Sequence, residues 1–277
     1  MRSLGPDDED YPRSLLARGK RRVPPRLWVE GELHRDRRIV AIVGARRATD
    51  EALSFARTLA AGLAERGIIV VSGGAHGVDS AAHRGAADCG GITWVILPIS
   101  LAKANEDARY KTLFSHVLPR GALVTRVEHD NVPPQNHARN ELIVRLASAM
   151  VVVQAAEKSG SISAGQKGLA AKIPVYAFRG PCYDPRFAGG RILIENGARE
   201  PRSTEALIDT LSALPERAWT PDERAIKNCL KDEPLHVDQL VLLTALPAGR
   251  VASALLTLAL DNVVVEGPSG CFRRNST

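Results

Sequence analysis

Six short runs of aliphatic and β-branched residues, spaced through the middle of the chain, limit its fold more than any other feature. They read IVAIVG at 39–44, IIVVSG at 68–73, ITWVILP at 92–98, ALVTRV at 122–127, MVVVQA at 150–155 and IPVYAF at 173–178. Because each run is apolar almost throughout, it is typical of a strand covered on both faces. Helix-period segments separate the runs. This alternation predicts an α/β fold with a doubly wound parallel, Rossmann-like sheet.

The chain around these runs predicts four parts. Residues 1–38 are polar and contain proline, and we expect an N-terminal lead-in segment packed on the next domain through Leu15, Leu16, Leu27 and Trp28. The Rossmann-like domain is expected over 39–211 and a linker over 212–220. Residues 221–277 predict three short helices followed by two strand-like pieces, which is the pattern of a small winged-helix domain.

The charge distribution favours an anionic partner for the larger domain. The formal net charge of the 277 residues is +6. Residues from Thr220 onward hold six basic and seven acidic side chains, so they carry −1 and residues 1–219 carry +7. A basic excess of this size is compatible with nucleic-acid binding and does not establish it.

Other features of the composition argue against several classes of protein. The four cysteines are far apart and lack metal-ligand spacing, so no metal site is predicted. Neither glycine-rich turn of the chain reads GxGxxG or GxxxxGK(S/T), and no cofactor is predicted. The N-terminus has no apolar signal-peptide core, and no apolar run approaches the ~18 residues of a membrane span. The sequence therefore predicts a cytoplasmic protein without a membrane partner.

The first candidate site is the turn IVGARRA at 42–48, directly after the first predicted strand. Gly44 permits close approach to a ligand, and a helix is expected to begin near Thr49. Free amides at a helix N-terminus attract phosphate, and Arg46 and Arg47 add positive charge. The alternative is an ordinary tight turn between strand and helix.

The second candidate site, VVSGGAHGVDSAAH at 70–83, is the strongest local signal. Its glycines allow positive φ and let backbone amides approach an anion. Asp79 and Ser80 are predicted to cap the following helix, with His83 within reach of Asp79. The alternative is a structural glycine-rich connection held by an Asp79–His83 pair. The predicted phosphate-binding residues here are Ser72, Gly73, Gly74, His76, Gly77 and Asp79.

Two further segments complete the predicted site. QNHARNEL at 135–142 precedes a helix, and AAEKSGSISAG at 155–165 follows a strand. Arginine, lysine and serine side chains with free amides suit phosphate, and a histidine can stack on a base. The alternatives are a solvated helix start and a serine-rich loop. The predicted residues are His137, Arg139, Asn140, Lys158, Ser159, Gly160 and Ser161.

At these places the sequence resembles the DNA-processing protein A (DprA/Smf) family over nearly its whole length. IVGARRA is similar to the family's G-S/A-R turn, SGGAHGVDSAAH to its most specific motif, and AAEKSGSISA and CYDPRFAGGRILIENGA to two later segments. The resemblance implies a Rossmann-like fold, single-stranded DNA binding as a homodimer, and loading of the recombinase RecA during DNA uptake and natural transformation. It implies no catalytic residues and no enzyme activity.

The chain departs from the family pattern at several positions. The family's FPxRNR segment reads Asn136-His137-Ala138-Arg139-Asn140-Glu141, Ala164 replaces a threonine, and Arg191 replaces an asparagine. These changes are those of a divergent paralogue, and they concern binding more than fold.

Two other functions stay open at this point. A nucleotide sensor could use the same glycine-rich pocket, and so could an enzyme like the nucleotide phosphoribohydrolases. The loop SGSISAGQK lacks the acidic residue that such an enzyme needs for acid–base chemistry. We also expect the winged-helix domain not to be the main DNA-binding element. Its third helix has Arg250 as its only basic residue, and its apolar stripe predicts a protein partner or second protomer.

Overall fold

The structure is a computed structural model, and it describes residues 1–16, 24–34, 37–214, 220–230, 233–260 and 263–274. The chain divides into two compact units, Met1–Arg217 and Ala218–Thr277. The predicted linker over 212–220 lies partly outside the described residues, at 215–219.

The first unit is an eight-stranded sheet with helices on both faces. Its elements in chain order are β1 Arg2–Leu4, α1 Arg13–Leu16, β2 Leu27–Gly31, β3 Ile39–Val43, α2 Asp50–Glu65, β4 Ile69–Gly73, α3 Val78–Asp88, β5 Thr93–Leu97, α4 Leu101–Glu106, α5 Ala108–Val117, β6 Ala122–Thr125, α6 Asn136–Leu146, β7 Ala149–Val152, α7 Gly160–Ala170, β8 Val175–Ala177, a 3-10 turn Pro185–Phe187, α8 Ala188–Glu195 and α9 Thr204–Ser212.

The sheet order is β1-β2-β6-β5-β4-β3-β7-β8. Strands β3 to β8 are parallel to one another, as predicted, and each overlaps one of the six apolar runs. Strands β1 and β2 were not predicted. They lie in the expected lead-in segment and extend the same sheet, because β2 pairs antiparallel with both β1 and β6.

The lead-in segment is anchored by three of its four predicted residues. Leu15 and Leu27 are buried, and Trp28 packs on the cluster around β5 and β6. Leu16 was wrongly predicted as an anchor, since nearly half of its surface is exposed.

The apolar core has one layer on each face of the sheet. In β3, Val40 and Ile42 face α2 and pack with Leu59 and Leu63. Ala41 and Val43 belong to the cluster on the other face, which α6, α7 and α8 cover. This burial on both faces explains why the strand has no polar alternation.

The strand order fixes a crevice at one place. From β3 the chain moves outward through β4 and β5 to β6, and it then returns to place β7 on the other side of β3. The loops after β3 and β7 therefore leave the sheet in opposite directions, and the place where they part is a topological switch point. Open α/β sheets bind ligands at such a point, outside the carboxyl ends of the strands.

The second unit is a winged-helix fold, as predicted. It consists of α10 Pro221–Cys229, β9 Leu235–His236, α11 Val237–Thr244, α12 Ala248–Leu260, β10 Val264–Glu266, a 3-10 turn Pro268–Gly270 and β11 Cys271–Arg274. The three strands pair in the order β10-β11-β9.

The apolar stripe of α12 is covered by the second unit itself. Val251, Leu255 and Leu258 are buried against Ile226 and Leu240. The expectation that this stripe needs a partner is therefore wrong, because three helices of one winged helix already enclose it.

Among the described residues, no single helix has both the length and the apolarity to span a membrane. Helices α11 and α12 reach that length only together, across a bend of 113°.

Candidate nucleic-acid interface

A cleft of about 400 Å³ opens at the switch point of the sheet. Its walls come from the loops after β3, β4, β7 and β8 and from the first turns of α6 and α7. The residues that line it are Val43, Gly44, Ala45, Arg46, Arg47, Ala75, Asp79, Arg139, Asn140, Ala156, Ser159, Gly160, Ser161, Ala164 and Arg186.

The turn after β3 presents its arginines outward. Arg46 and Arg47 are exposed, and α2 starts behind them with the Thr49 hydroxyl accepting from the backbone N–H of Ala52. The backbone N–H of Thr49 donates to Oε1 of buried Gln154 at 3.0 Å. The turn after β3 is thus tied to the loop after β7.

The turn after β4 packs directly against the turn after β3. Gly77 has φ 82°, and a Cβ there would lie 2.3 Å from the carbonyl oxygen of Ala45. Only glycine fits such a backbone crossing. The backbone N–H of Val78 donates to the same oxygen at 3.2 Å.

The predicted caps of α3 are wrong. Gly77 is the N-cap residue and makes no side-chain cap bond. The Ser80 hydroxyl donates back to the Ala75 carbonyl at 2.8 Å, and the Asp79 carboxylate accepts from the backbone N–H groups of Ala75 and Gly44. Asp79 therefore ties the loops after β3 and β4 together instead of capping its own helix.

Arg139 and Asp79 form a buried ion pair at the floor of the cleft. Nη1 of Arg139 lies 3.6 Å from Oδ2 of Asp79, and the two side chains are 12% and 6% exposed. Burial raises the pKa of the Asp79 carboxyl, and the positive charge of Arg139 opposes that rise. Nε of Arg139 is buried and has no hydrogen-bond partner among the described residues.

His83 does not pair with Asp79 as predicted. Its Nε2 lies 2.9 Å from the Gly73 carbonyl oxygen, and its Nδ1 lies 2.7 Å from the Thr93 hydroxyl. Burial lowers the pKa of His83 to about 4, so the ring is neutral. Since a carbonyl oxygen only accepts, Nε2 carries the proton and donates to Gly73. His83 is a structural residue behind the loop.

The loop after β7 closes the other wall. Ser159 caps α7 by accepting from the backbone N–H of Ile162, and the Ser161 hydroxyl donates to the Gly44 carbonyl at 2.7 Å. The side-chain amide of Asn140 donates to the Gly160 carbonyl at 3.3 Å. These bonds aim the N-terminus of α7, and its positive dipole end, into the cleft.

A smaller pocket of about 110 Å³ continues the cleft toward β5. It is lined by Arg46, Gly74, Ala75, His76, Pro98, Arg109, Tyr110, Asn136 and Arg139. Arg46, Ala75 and Arg139 line both spaces. The two spaces therefore form one continuous surface along the carboxyl edge of the sheet.

The predicted site residues fall into three groups. Gly44, Arg46, Arg47, Asp79, Arg139, Asn140, Ser159, Gly160 and Ser161 line the cleft, and Gly74 and His76 line the smaller pocket. Ser72, Gly73 and Gly77 support the loops from behind. His137 and Lys158 are exposed and line neither space; the His137 carbonyl accepts from Lys167 Nζ at 3.2 Å.

Three residues that line these spaces, Arg186, Arg109 and Tyr110, were not predicted. Arg186 lies within the segment DPRFAGG that carries the family resemblance, and that position was the one available signal. No group of three or more His, Cys, Asp or Glu side chains able to hold a metal occurs among the described residues.

Comparison with protein families identifies the chain. The family model for DNA recombination-mediator protein A matches residues 2–212, and the model for the DprA winged helix domain matches residues 210–270. The chain belongs to the DprA/Smf family. The glycine-rich loops at the switch point are therefore those of a DprA/Smf fold.

Relatives in this family are similar along most of the chain. A putative DNA processing protein DprA of Mycobacterium tuberculosis is 33% identical over 78% of the chain, and the chain spans 59% of that relative's length. Protein Smf of Escherichia coli K12 is 30% identical over 96% of the chain and 76% of the relative.

Two solved structures share the DprA/Smf fold. DNA processing protein A from Helicobacter pylori, solved to explain its single-stranded DNA binding mode, superposes with a TM-score of 0.63 at 26% identity over 76% of this chain and 96% of its own. DprA from Streptococcus pneumoniae gives a TM-score of 0.64 at 24% identity over 75% of this chain and 73% of its own.

Proposed function

We propose that the chain binds single-stranded DNA through the cleft at the switch point of its sheet. The observation that carries this proposal is the convergence of Arg46, Arg47 and Arg139 with the N-terminus of α7 on one cleft of about 400 Å³. Guanidinium groups and free amides are the groups that bind phosphate in proteins. The relative from H. pylori has a single-stranded DNA binding mode, which supports the same ligand here.

The chemistry of the cleft favours binding without sequence preference. Backbone amides and arginines bind phosphate, which is the same at every nucleotide. Aromatic side chains are scarce at 4% of the chain, so few bases can be stacked. We expect affinity to depend on backbone charge and strand flexibility more than on base identity.

A strand that follows the continuous surface must be flexible. The cleft and the smaller pocket are concave and adjoin at Arg46 and Arg139, so a ligand that fills both has to bend its backbone into the sheet edge. Duplex DNA resists such bending, with a persistence length of about 150 base pairs. Single-stranded DNA is therefore the better ligand.

We further propose that the chain acts in DNA uptake, natural transformation and recombination as a homodimer that delivers single strands to a RecA-type recombinase. The support is membership of the DNA recombination-mediator family. In this role the protein protects the strand and is no enzyme.

One titration series tests the proposed ligand. Fluorescence anisotropy is measured with single-stranded DNA, duplex DNA of the same sequence, and a free nucleoside monophosphate, across a range of salt. Tight binding of the single strand that falls steeply with salt is the expected result, because bound cationic groups release counterions. Equal affinity for duplex would contradict the proposal. Preference for the monophosphate would indicate a nucleotide sensor, and release of its base would indicate a phosphoribohydrolase-like enzyme.

The biological role has separate readouts. Light scattering of the purified chain measures its oligomeric state. Nucleation of a RecA filament on coated single strands, with and without the chain, measures loading. A monomer, or a chain that only blocks filament growth, would contradict this part of the proposal and leave DNA binding intact.

A further inference from the structure

Two arginines at the carboxyl edge of the sheet, Arg109 and Arg186, are held by the same arrangement of hydrogen bonds. Asp107 is the N-cap of α5, and Asp184 precedes the 3-10 turn in the same way. Each aspartate accepts from the backbone N–H of the arginine two residues later, Arg109 at 3.0 Å and Arg186 at 2.9 Å. Each arginine then folds back and binds both oxygens of the same carboxylate.

This arrangement of hydrogen bonds fixes each guanidinium and leaves its Nη1 group free to donate. Nε and Nη2 of both arginines bind the carboxylate, with Nε to oxygen distances of 2.9 Å for Arg109 and 3.0 Å for Arg186. The bound guanidinium lowers the pKa of Asp107 to about 2 and also lowers that of Asp184, so both aspartates stay charged. In both arginines Nη1 has no hydrogen-bond partner among the described residues, and its two N–H groups can donate to a ligand.

The two arginines lie at opposite ends of the binding surface. Arg109 lines the smaller pocket, beside Pro98 in the loop after β5. Arg186 lines the cleft in the segment after β8. Since the sheet order is β5-β4-β3-β7-β8, they flank the central pair Arg46 and Arg139 from either side.

The segment that carries Arg186 is itself held in place. Arg191 donates from Nη1 to the carbonyls of Arg179 and Pro181, at 3.2 and 2.9 Å, and from Nη2 to the carbonyl of Asp184 at 3.2 Å. An asparagine, which the family pattern has at this position, is too short to span three carbonyls. Arg191 thus positions the loop that presents Arg186.

We propose that Arg109 and Arg186 bind the phosphates on either side of a central phosphate held at Arg46 and Arg139, so that a single strand lies along the carboxyl edge of the sheet from β5 to β8. This inference rests on the proposed function and adds the path of the strand. Because the aspartates fix the arginines before binding, the strand does not have to order them. The loss of side-chain entropy that a free arginine would suffer on contact is avoided.

The test compares Arg109→Ala, Arg186→Ala and the double variant with the wild-type chain on oligothymidylates of about two, six and twelve nucleotides. Affinities are measured by competition against a labelled long probe. On the longest strand each single variant is expected to lose about tenfold in affinity, the value of one charge-assisted hydrogen bond, and the double variant about a hundredfold. On the dinucleotide, which fills only the central position, affinity should stay unchanged.

A matched control is Arg66→Ala. Arg66 also pairs with an aspartate, Asp209, at 3.0 Å, but it lies at the end of α2, at the opposite edge of the sheet. If Arg109→Ala and Arg186→Ala bind the longest strand as Arg66→Ala does, the inference is overturned. An equal loss on the dinucleotide also overturns it, since the arginines would then act on the central phosphate.

Failure of the inference and failure of the proposed function are distinguishable. A wild-type chain that binds no oligothymidylate contradicts both. If the wild-type chain binds, and Arg46→Ala is the only variant that loses affinity, then only the proposed path along the sheet edge is contradicted.

Discussion

The guanidinium of Arg139 occupies the space that a side chain at Gly73 would fill. A Cβ built on Gly73 would lie 1.4 Å from Nη1 of Arg139 and 2.7 Å from Oδ2 of Asp79. Gly73 ends β4, so the absence of a side chain there is what lets α6 place an arginine at the floor of the cleft. The glycine is needed for space, and its backbone is not left-handed.

Gly73→Ala is therefore expected to displace Arg139 and weaken single-stranded DNA binding by about tenfold or more, since one charge-assisted contact is lost. Overpacking should also lower the free energy of unfolding by about 1–3 kcal/mol. Gly249→Ala is the control, because a Cβ at Gly249 has no atom within 4 Å. Anisotropy and urea denaturation measure the two effects, and unchanged affinity would contradict this account of the glycine.

Substitutions of Arg46 and Arg139 should both weaken DNA binding but should differ in their effect on the free energy of unfolding. Arg46 is exposed, so Arg46→Ala is expected to weaken DNA binding and change the free energy of unfolding by less than about 0.5 kcal/mol. Arg139→Ala leaves Asp79 buried without its cation, which costs about 3–5 kcal/mol when a buried pair is broken. Salt dependence of binding should fall by about 0.7 in log–log slope for each lost phosphate contact.

A second substitution tests the cause of that instability. Adding Asp79→Asn to Arg139→Ala removes the unpaired charge, so the free energy of unfolding should recover while DNA affinity stays low. Urea denaturation and anisotropy on the same samples decide it. Recovery of both properties would show that Arg139 does not contact the strand.

His83 should make the fold sensitive to acid. Its pKa is lowered from 6.5 to about 4 in the folded protein, so between these values the unfolded chain binds a proton that the native ring does not. Stability from this group is fully present above pH 6.5 and is lost as pH falls toward 4, by about 3 kcal/mol in total. The raised pKa of Asp79 acts in the opposite direction, so variants must be compared at each pH.

His83→Gln removes the titrating group and is expected to flatten the pH dependence of urea unfolding over this window, even though it lowers stability at neutral pH. If the variant and the wild-type chain lose stability in parallel between pH 6.5 and 4, another group is responsible.

The winged-helix unit is expected to contribute little to single-stranded DNA affinity. Residues from Thr220 onward carry a net charge of −1, so the unit as a whole repels phosphate. A chain ending at Leu214 keeps α9, whose Leu207 and Leu211 are buried in the core of the first unit. It should fold and retain most of the wild-type affinity. Loss of binding by a folded truncated chain would direct attention to Arg273 and Arg274, whose alanine variants in the full chain are the companion measurement.

The sequence predicted the parallel strands and the cleft because both rest on strong local patterns. A strand buried on both faces shows as an apolar run, and glycine-rich turns at strand ends show as motifs. Strands β1 and β2, RSL and LWVEG, could not be found in this way, since each mixes polar with apolar residues and neither is buried throughout.

The errors within the site have a different cause. The spacing of Asp79 and His83 places them on adjacent turns of α3, but partners outside the helix decide their contacts: Arg139 for the aspartate, Gly73 and Thr93 for the histidine. Arg186 is one of many arginines in the sequence, and only the fold of the segment after β8 brings it to the cleft. Long-range contacts of this kind leave no periodic signal.

Three hydrogen bonds join the loops of the cleft, from Thr49 to Gln154, from Ser161 to Gly44 and from Asn140 to Gly160. These bonds have a thermodynamic consequence. Walls that are already linked lose little chain entropy when a strand arrives. The cleft offers phosphate mainly guanidinium groups and amides, so association buries little apolar surface and should show a small heat-capacity change. We therefore expect the release of ions from the strand to drive binding, and we expect affinity to depend more on salt concentration than on temperature.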